Sequence, residues 1–76
     1  MGKQNIGKIL MMGLQRSGVE GIVPYFFAKQ NHMNDEPIVD KILYWENSGK
    51  VRCVERGRTP YVSRYVLVDP SERRIA

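Results

Sequence analysis

The feature that most limits how this chain can fold is a change of residue pattern that follows its third predicted helix. Up to that point apolar side chains recur at helical spacing. Ile38, Ile42 and Trp45 stand four and three positions apart and line one side of a helix. Beyond it, apolar and polar residues alternate over residues 50–55 and 61–68, which is typical of strands. The pattern therefore predicts an α+β chain in which helices come first and a pair of antiparallel strands comes last.

Two helices are predicted ahead of that segment. The first covers residues 5–16 and ends at Ser17-Gly18, because glycine suits a left-handed position at the end of a helix. A short extended stretch at residues 20–23 follows and is a candidate edge strand. The second helix begins at Pro24, whose missing N–H costs nothing in a first turn, and runs to residue 30 or 31.

The third helix follows a turn at residues 31–34. Its first turn is capped by Asn34 or Glu36 and contains Pro37, a residue that is well tolerated there. The helix closes at residues 47–49, where a Gly follows Asn and Ser. The sequence therefore marks both the start and the end of this helix.

The two strands are joined by a predicted hairpin loop over residues 56–60. Gly57 is expected to supply a positive φ in that loop, which other residues adopt only at a cost. A chain of 76 residues is long enough for one domain. We predict that this domain covers residues 1–70 and that residues 71–76 form a short C-terminal tail.

Composition narrows the class of protein. The single cysteine, Cys53, excludes an internal disulfide and favours a cytoplasmic location. No apolar run approaches the ~20 residues that a membrane span needs, and residues 1–6 lack the layout of a secretory signal. His32 is the only histidine, and no nucleophile stands beside a base, so we expect no metal, no cofactor and no enzyme activity.

The formal charge of +4 is unevenly distributed along the chain. Residues 1–49 carry five basic and five acidic side chains, whereas residues 50–76 carry seven basic and three acidic ones. A concentrated basic patch is what a polyanion-binding surface requires, because phosphate contacts release counterions and so supply affinity. The same charge is also compatible with a solvated edge that only keeps the protein soluble.

Three features of residues 22–68 match a known pattern. Ala28 fits a small residue at the point where two helices cross, and Ile38, ten positions later, fits a β-branched anchor of the next helix. Residues 45–51 fit an apolar–acidic–x–x–Gly–x–apolar run that leads into a strand. In these features the chain resembles the winged helix-turn-helix superfamily. In length and order of elements it is similar to small single-domain bacterial regulators such as the FaeA-like fimbrial regulators.

Three positions depart from the pattern of that family. The family usually has Leu at the position of Asn31, Gly at that of His32, and a small or apolar residue at that of Lys41. Asn and His tolerate left-handed backbone geometry better than most residues, so the turn remains feasible.

The resemblance implies a binding site for double-stranded DNA. The third helix would lie at the major groove, and the basic hairpin, called the wing in this family, would lie on the backbone or minor groove. Arginine suits such contacts because its planar guanidinium forks around phosphate oxygens. The predicted DNA-binding residues are Arg52, Arg56, Gly57, Arg58, Thr59 and Arg64 in and beside the wing, together with Lys29, Lys41, Tyr44 and Lys50.

The third helix is acidic on its predicted exposed side, which disfavours contact with phosphates. Asp35, Glu36 and Asp40 lie there, although a carboxylate can accept a hydrogen bond from cytosine N4. The wing arginines could instead form ion pairs within the domain, with Asp35, Glu36 and Glu55 as the expected partners. The sequence leaves these two arrangements open.

Two functions follow from these alternatives. The first is a small transcriptional regulator that binds duplex DNA with the help of a homodimer or a partner protein, because one small module binds weakly. The second is a protein–protein interaction module, an adaptor or antagonist, whose acidic third helix binds a basic partner. RNA is less favoured, because the strands lack an exposed pair of aromatic residues for base stacking.

Overall fold

A computed structural model describes residues 5–68, and the predicted tail at residues 71–76 lies outside that range. Three helices come first in the chain: α1 (Ile6–Ser17), α2 (Pro24–Gln30) and α3 (Asp35–Asn47). Two antiparallel strands follow: β1 (Val51–Glu55) and β2 (Arg64–Leu67). The predicted α+β class and the order of these elements are confirmed. Among the described residues, no helix combines the length and the apolar character needed to cross a membrane.

The helix ends follow the local signals. The Asn5 side chain accepts a hydrogen bond from the Lys8 backbone N–H at 3.1 Å and caps α1. Gly18 ends that helix with the expected positive φ, +56°, but its ψ of −127° lies outside the left-handed helical region. Asn34 is the N-cap residue of α3, although its side chain makes no capping hydrogen bond. Gly49, which follows α3, has a φ of +84°.

The turn between α2 and α3 accommodates the departures from the family pattern. His32 adopts a φ of +54° in the position where that family usually has glycine. The Asn31 side chain donates a hydrogen bond to the Phe27 carbonyl at 2.8 Å, so it satisfies the end of α2. The Met33 N–H donates to the Ala28 carbonyl at 2.9 Å and closes the turn.

The core is built by one side of each helix and by the inner face of the strands. Its ten buried members are Leu10, Leu14, Ile22, Phe27, Ala28, Ile38, Ile42, Trp45, Val51 and Tyr65. Of the adjacent aromatic residues on α2, Phe27 is buried whereas Phe26 is 58% exposed, because neighbouring positions on a helix point about 100° apart. Cys53 is half-buried and packs against the core, as expected for a small apolar residue.

The predicted extended stretch at residues 20–23 is reduced to one residue. Ile22 forms an isolated bridge to Tyr65 through two hydrogen bonds of 2.9 Å, one from each backbone N–H. Residues 18–20 form a 3₁₀ helix instead. Because the bridge lies on the side of β2 away from β1, it extends the two-stranded sheet by one short pairing. It ties the connection between α1 and α2 to β2.

The second predicted strand, residues 61–68, is shorter than expected. Residues Pro60–Val62 form another 3₁₀ helix, and β2 begins only at Arg64. Pro60 explains the difference, because its fixed φ is preorganised for the first turn of a helix. The pairing of β1 with β2 is also irregular: Val54 is a β-bulge between Cys53 and Glu55.

Candidate nucleic-acid interface

The loop between β1 and β2, residues 56–63, lies against the helices instead of projecting as a free hairpin. Its 3₁₀ helix, Pro60–Val62, packs on both α2 and α3. Ser63, which is fully buried, fastens the loop at its end. The Ser63 hydroxyl accepts a hydrogen bond from the Gly57 N–H at 2.9 Å and donates one to the Thr59 carbonyl at 2.9 Å. In place of the predicted simple hairpin loop, the chain forms a compact loop that includes a 3₁₀ helix.

Gly57 does not have the predicted positive φ. It is needed for space instead, because a Cβ atom at this position would lie 2.6 Å from the Val62 carbonyl oxygen. The chain on the two sides of the loop comes that close because Ser63 draws the Gly57 amide inward. The glycine is thus explained by a close approach of two backbone segments.

Two of the four predicted wing arginines form ion pairs within the domain. The Arg56 Nη2 lies 3.4 Å from the Glu46 Oε2 on α3. The Arg64 Nε lies 3.2 Å from the Glu55 Oε1, and its Nη1 donates to the Glu20 carbonyl at 3.1 Å. Of the partners expected from the sequence, only Glu55 is used. Both pairs are exposed, so each contributes roughly 0–1 kcal/mol and can open when a stronger anion competes.

Arg52 and Arg58, the other two arginines, are exposed and have no ion-pair partner among residues 5–68. Arg52 lies on β1 opposite Val66 of β2. Lys50 comes directly before β1. Its carbonyl accepts a hydrogen bond from the Val68 N–H at 2.9 Å, which extends the pairing of the two strands by one position. Its Nζ lies 5.5 Å from the centroid of the Trp45 ring, which orients the ammonium group without neutralising it. These three cations form what we call the basic surface: Lys50, Arg52 and Arg58.

The remaining predicted contacts lie on the helices. The Lys29 Nζ on α2 lies 5.3 Å from the centroid of the Tyr25 ring. Lys41 is half-buried, and together with Tyr44 it lines a shallow groove between α3 and the start of α1. Tyr44 is exposed on α3, as a contact residue must be. Thr59 is exposed at the tip of the loop, where its side chain makes no hydrogen bond to the 3₁₀ helix that follows.

The first half of α3 carries a separate acidic surface, formed by Asp35, Glu36 and Asp40. None of these three carboxylates has an ion-pair partner among the residues that the structure describes. Desolvation and these carboxylates both affect the pKa of Tyr61 in the loop. Partial desolvation raises the pKa of its phenol above the ordinary value, and the nearby charges of Glu36, Asp35 and Asp40 raise it further. Tyr61 therefore lies near this surface, in the 3₁₀ helix that packs on α3.

Sequence reasoning missed two residues that organise this region, Tyr61 and Ser63. Both were assigned to a regular strand, where alternate residues would face opposite sides. A signal was present in Thr59-Pro60, because proline after an extended residue marks the start of a helical turn as readily as the end of a loop. That turn places Ser63 beneath the loop.

The domain thus presents two charged surfaces of opposite sign. The basic surface offers guanidinium and ammonium donors that suit phosphate oxygens. The acidic surface offers carboxylates that suit basic side chains or the amino groups of bases. Comparison with family models, with curated proteins and with solved structures found no match for this chain.

Proposed function

We propose that this chain is a winged-helix module that binds double-stranded DNA as a small transcriptional regulator. The element order supports this reading: helix, bridging residue, helix, helix and strand pair follow in the sequence of that fold. The short turn between α2 and α3 is also of the kind that joins the two helices of a helix-turn-helix. If residues 22–68 follow the pattern of that family, the loop between β1 and β2 corresponds to its wing.

The observation that carries the proposal is the uncompensated charge of the basic surface. Lys50, Arg52 and Arg58 are exposed and lie on or beside a single strand and its loop. Cations without an ion-pair partner do not have to break a contact before they meet a polyanion, and each phosphate they contact releases counterions. Arg56 and Arg64 are secondary contacts, because an ion pair must open before either can reach a phosphate.

The acidic surface restricts how α3 can be used in such a complex. Glu36 and Asp40 would repel phosphates, so α3 contributes no backbone affinity in its first half. Facing base edges, the same carboxylates accept hydrogen bonds from cytosine N4. The proposed complex therefore obtains affinity from the basic surface and any base preference from α3.

Replacing Arg52 and Arg58 together with alanine is expected to weaken binding to duplex DNA and to flatten its salt dependence. Because each lost phosphate contact lowers the slope of log K against log salt by ~0.9, the double variant should lose about 2 units of slope. The measurement is fluorescence anisotropy of a labelled random-sequence duplex over a series of salt concentrations. Lys8→Glu is the matched control, since it changes the net charge by the same two units at an exposed position on α1.

The control separates a local contact from a general effect of net charge. If Lys8→Glu reduces the salt slope as much as the double variant does, the basic surface is not the DNA-binding site. NMR shifts of the wild-type protein with the same duplex give an independent result. They should collect on β1 and on the loop at residues 56–59.

A second function is favoured by one observation, the unpaired carboxylates at the start of α3. Asp35, Glu36 and Asp40 remain without an ion-pair partner in the described residues although basic side chains are abundant in the chain. Such a surface fits a protein–protein interaction module that binds a basic segment of a partner protein. In this alternative the basic surface only keeps the protein soluble.

Replacing Glu36 with glutamine and Asp40 with asparagine distinguishes the two functions. We expect the double variant to bind random-sequence duplex more tightly than the wild type, because two negative charges near the phosphates are removed. Asp35 is left unchanged, since its charge stabilises the positive end of the α3 dipole. If anisotropy shows unchanged or undetectable duplex binding in both proteins, while an arginine-rich peptide binds only the wild type, the interaction module is the correct function.

A further inference from the structure

An apolar groove runs between α1 and α2, away from the basic surface. It has a volume of about 710 Å³, and Ile22 in the connection between α1 and α2 is among its lining residues. Ile9, Gly13 and Phe27 form part of its lining. Gly13 is what allows the helices to approach here, because a Cβ atom on it would collide with the Phe27 ring. The groove is therefore a consequence of one glycine and one buried aromatic residue.

Large apolar side chains stand exposed around this groove. Met12 and Phe26 line it, and Phe26 is 58% exposed on α2. Val19, which is 94% exposed, lies in the 3₁₀ helix next to Glu20, one of the lining residues. These are three of the seven large apolar side chains exposed in residues 5–68. A cluster of this kind beside a groove marks a contact surface more often than isolated exposed residues do.

Three charged side chains line the groove: Arg64, which is paired with the Glu55 carboxylate, and Arg16 and Glu20. Arg16 and Glu20 both line it, both are exposed, and neither has an ion-pair partner among the described residues. They stand four positions apart, at the end of α1 and in the 3₁₀ helix after it. A two-fold interface uses the same patch on both subunits, so a patch with an exposed aromatic residue, an apolar groove and one unpaired charge of each sign can supply both halves of each contact.

We propose that the occupant of this groove is the same groove surface of a second copy of this chain, related by a two-fold axis. In this dimer Phe26 of each copy enters the groove of the other, and Arg16 of each copy pairs with Glu20 of the other. The charges favour a second copy over an unrelated acidic or basic partner, which would leave either Arg16 or Glu20 facing a like charge. Of the ten predicted DNA-binding residues only Arg64 lines the groove, so the dimer leaves the basic surface uncovered.

The oligomeric state of the full chain tests this proposal without any nucleic acid, so its result is independent of the proposed function. We expect sedimentation equilibrium to show a mass that rises with concentration toward twice the 8.8 kDa of the chain. Phe26→Ser should weaken the dimer by about 30-fold or more, as the loss of an aromatic anchor of at least ~2 kcal/mol requires. Leu43→Ser, at an exposed apolar position on α3, is the matched control and should leave the dissociation constant unchanged.

A charge exchange tests the two-fold pairing. Arg16→Glu and Glu20→Arg should each weaken the dimer, because each places like charges opposite one another, and the double variant should restore it. Far-UV circular dichroism confirms that each variant is folded. A mass of 8.8 kDa at every concentration overturns the proposal. It is also overturned if Leu43→Ser and Phe26→Ser weaken the dimer equally, or if the double variant is weaker than either single one.

Discussion

Gly21→Ala is expected to be the most destabilising single substitution that this domain can receive at a glycine. Gly21 has a φ of +72° and a ψ of −171°, a region of backbone conformation that only glycine occupies readily. A Cβ atom here would also collide with the Tyr65 carbonyl oxygen and lie 2.7 Å from the Val66 Cγ1. The Tyr65 carbonyl cannot move aside, because it accepts the hydrogen bond from the Ile22 N–H that joins the α1–α2 connection to β2.

Two penalties therefore add at this position. Backbone strain costs about 1–3 kcal/mol, and forcing atoms apart in a packed region costs about 1–3 kcal/mol more. A domain of this size has a free energy of unfolding of roughly 4–11 kcal/mol. We expect urea denaturation to show that Gly21→Ala has lost a large part of that stability or is unfolded.

Gly18→Ala is the control for this prediction. Gly18 also has a positive φ, +56°, but no atom lies within 4 Å of the position that its Cβ would take. Because its ψ of −127° also lies in a region that favours glycine, Gly18→Ala should lose about 1–3 kcal/mol from backbone strain and nothing from collision. If the two alanine variants unfold at the same urea concentration, contact with Tyr65 does not explain the need for glycine at position 21.

Ser63→Ala is expected to have the second largest effect and to act directly on the loop. The substitution removes the acceptor for the Gly57 N–H and the donor to the Thr59 carbonyl at a position that is fully buried. The Thr59 carbonyl keeps the hydrogen bond that it accepts from the Val62 N–H at 3.1 Å, whereas the Gly57 N–H is left without a partner. We expect a loss of about 1–3 kcal/mol in the free energy of unfolding, the cost of one unpaired polar group in a packed region.

Hydrogen exchange gives a second measurement of the same substitution. The Gly57 amide should exchange faster in Ser63→Ala than in the wild type, because its only hydrogen bond in the described structure is to Ser63. Thr59→Ala is the control: the Thr59 side chain is exposed and makes no capping hydrogen bond, so stability should change by less than about 0.5 kcal/mol. Equal losses in the two variants would contradict the assigned role of Ser63.

The predictions that proved accurate depend on local chemistry. The positive φ of Gly18 and the first turn at Pro24 are each decided within a few residues, so sequence alone contains the necessary signal. Of the two predicted caps of α3, Asn34 holds the N-cap position, but its side chain makes no capping hydrogen bond. Helical spacing likewise identified Ile38 and Ile42 as core residues, and both are fully buried. The alternation that indicated β1 and β2 reports which face of a strand is buried and needs no knowledge of its partner.

The features that sequence could not provide depend on contacts between distant segments. The ion pair of Arg56 with Glu46 joins the loop to α3, and no pattern in the sequence favoured Glu46 over Asp35 or Glu36 as the partner. The predicted positive φ of Gly57 was wrong, because glycine is required there by the close approach of Val62 after the chain has turned back. The positions of the loop arginines therefore depend on the path of residues 56–63. Pro60 and Ser63 determine that path together.

The β-bulge at Val54 has a consequence for how this small domain avoids aggregation. Since Ile22 and β1 occupy opposite sides of β2, one side of β1 has unpaired backbone groups within the described sheet. An open edge of that kind is a template onto which strands of other molecules can add without limit. The extra residue at position 54 interrupts the spacing of those groups, and the charge of Arg52 on the same strand makes parallel stacking of identical chains costly. The irregular strand thus limits edge-to-edge growth.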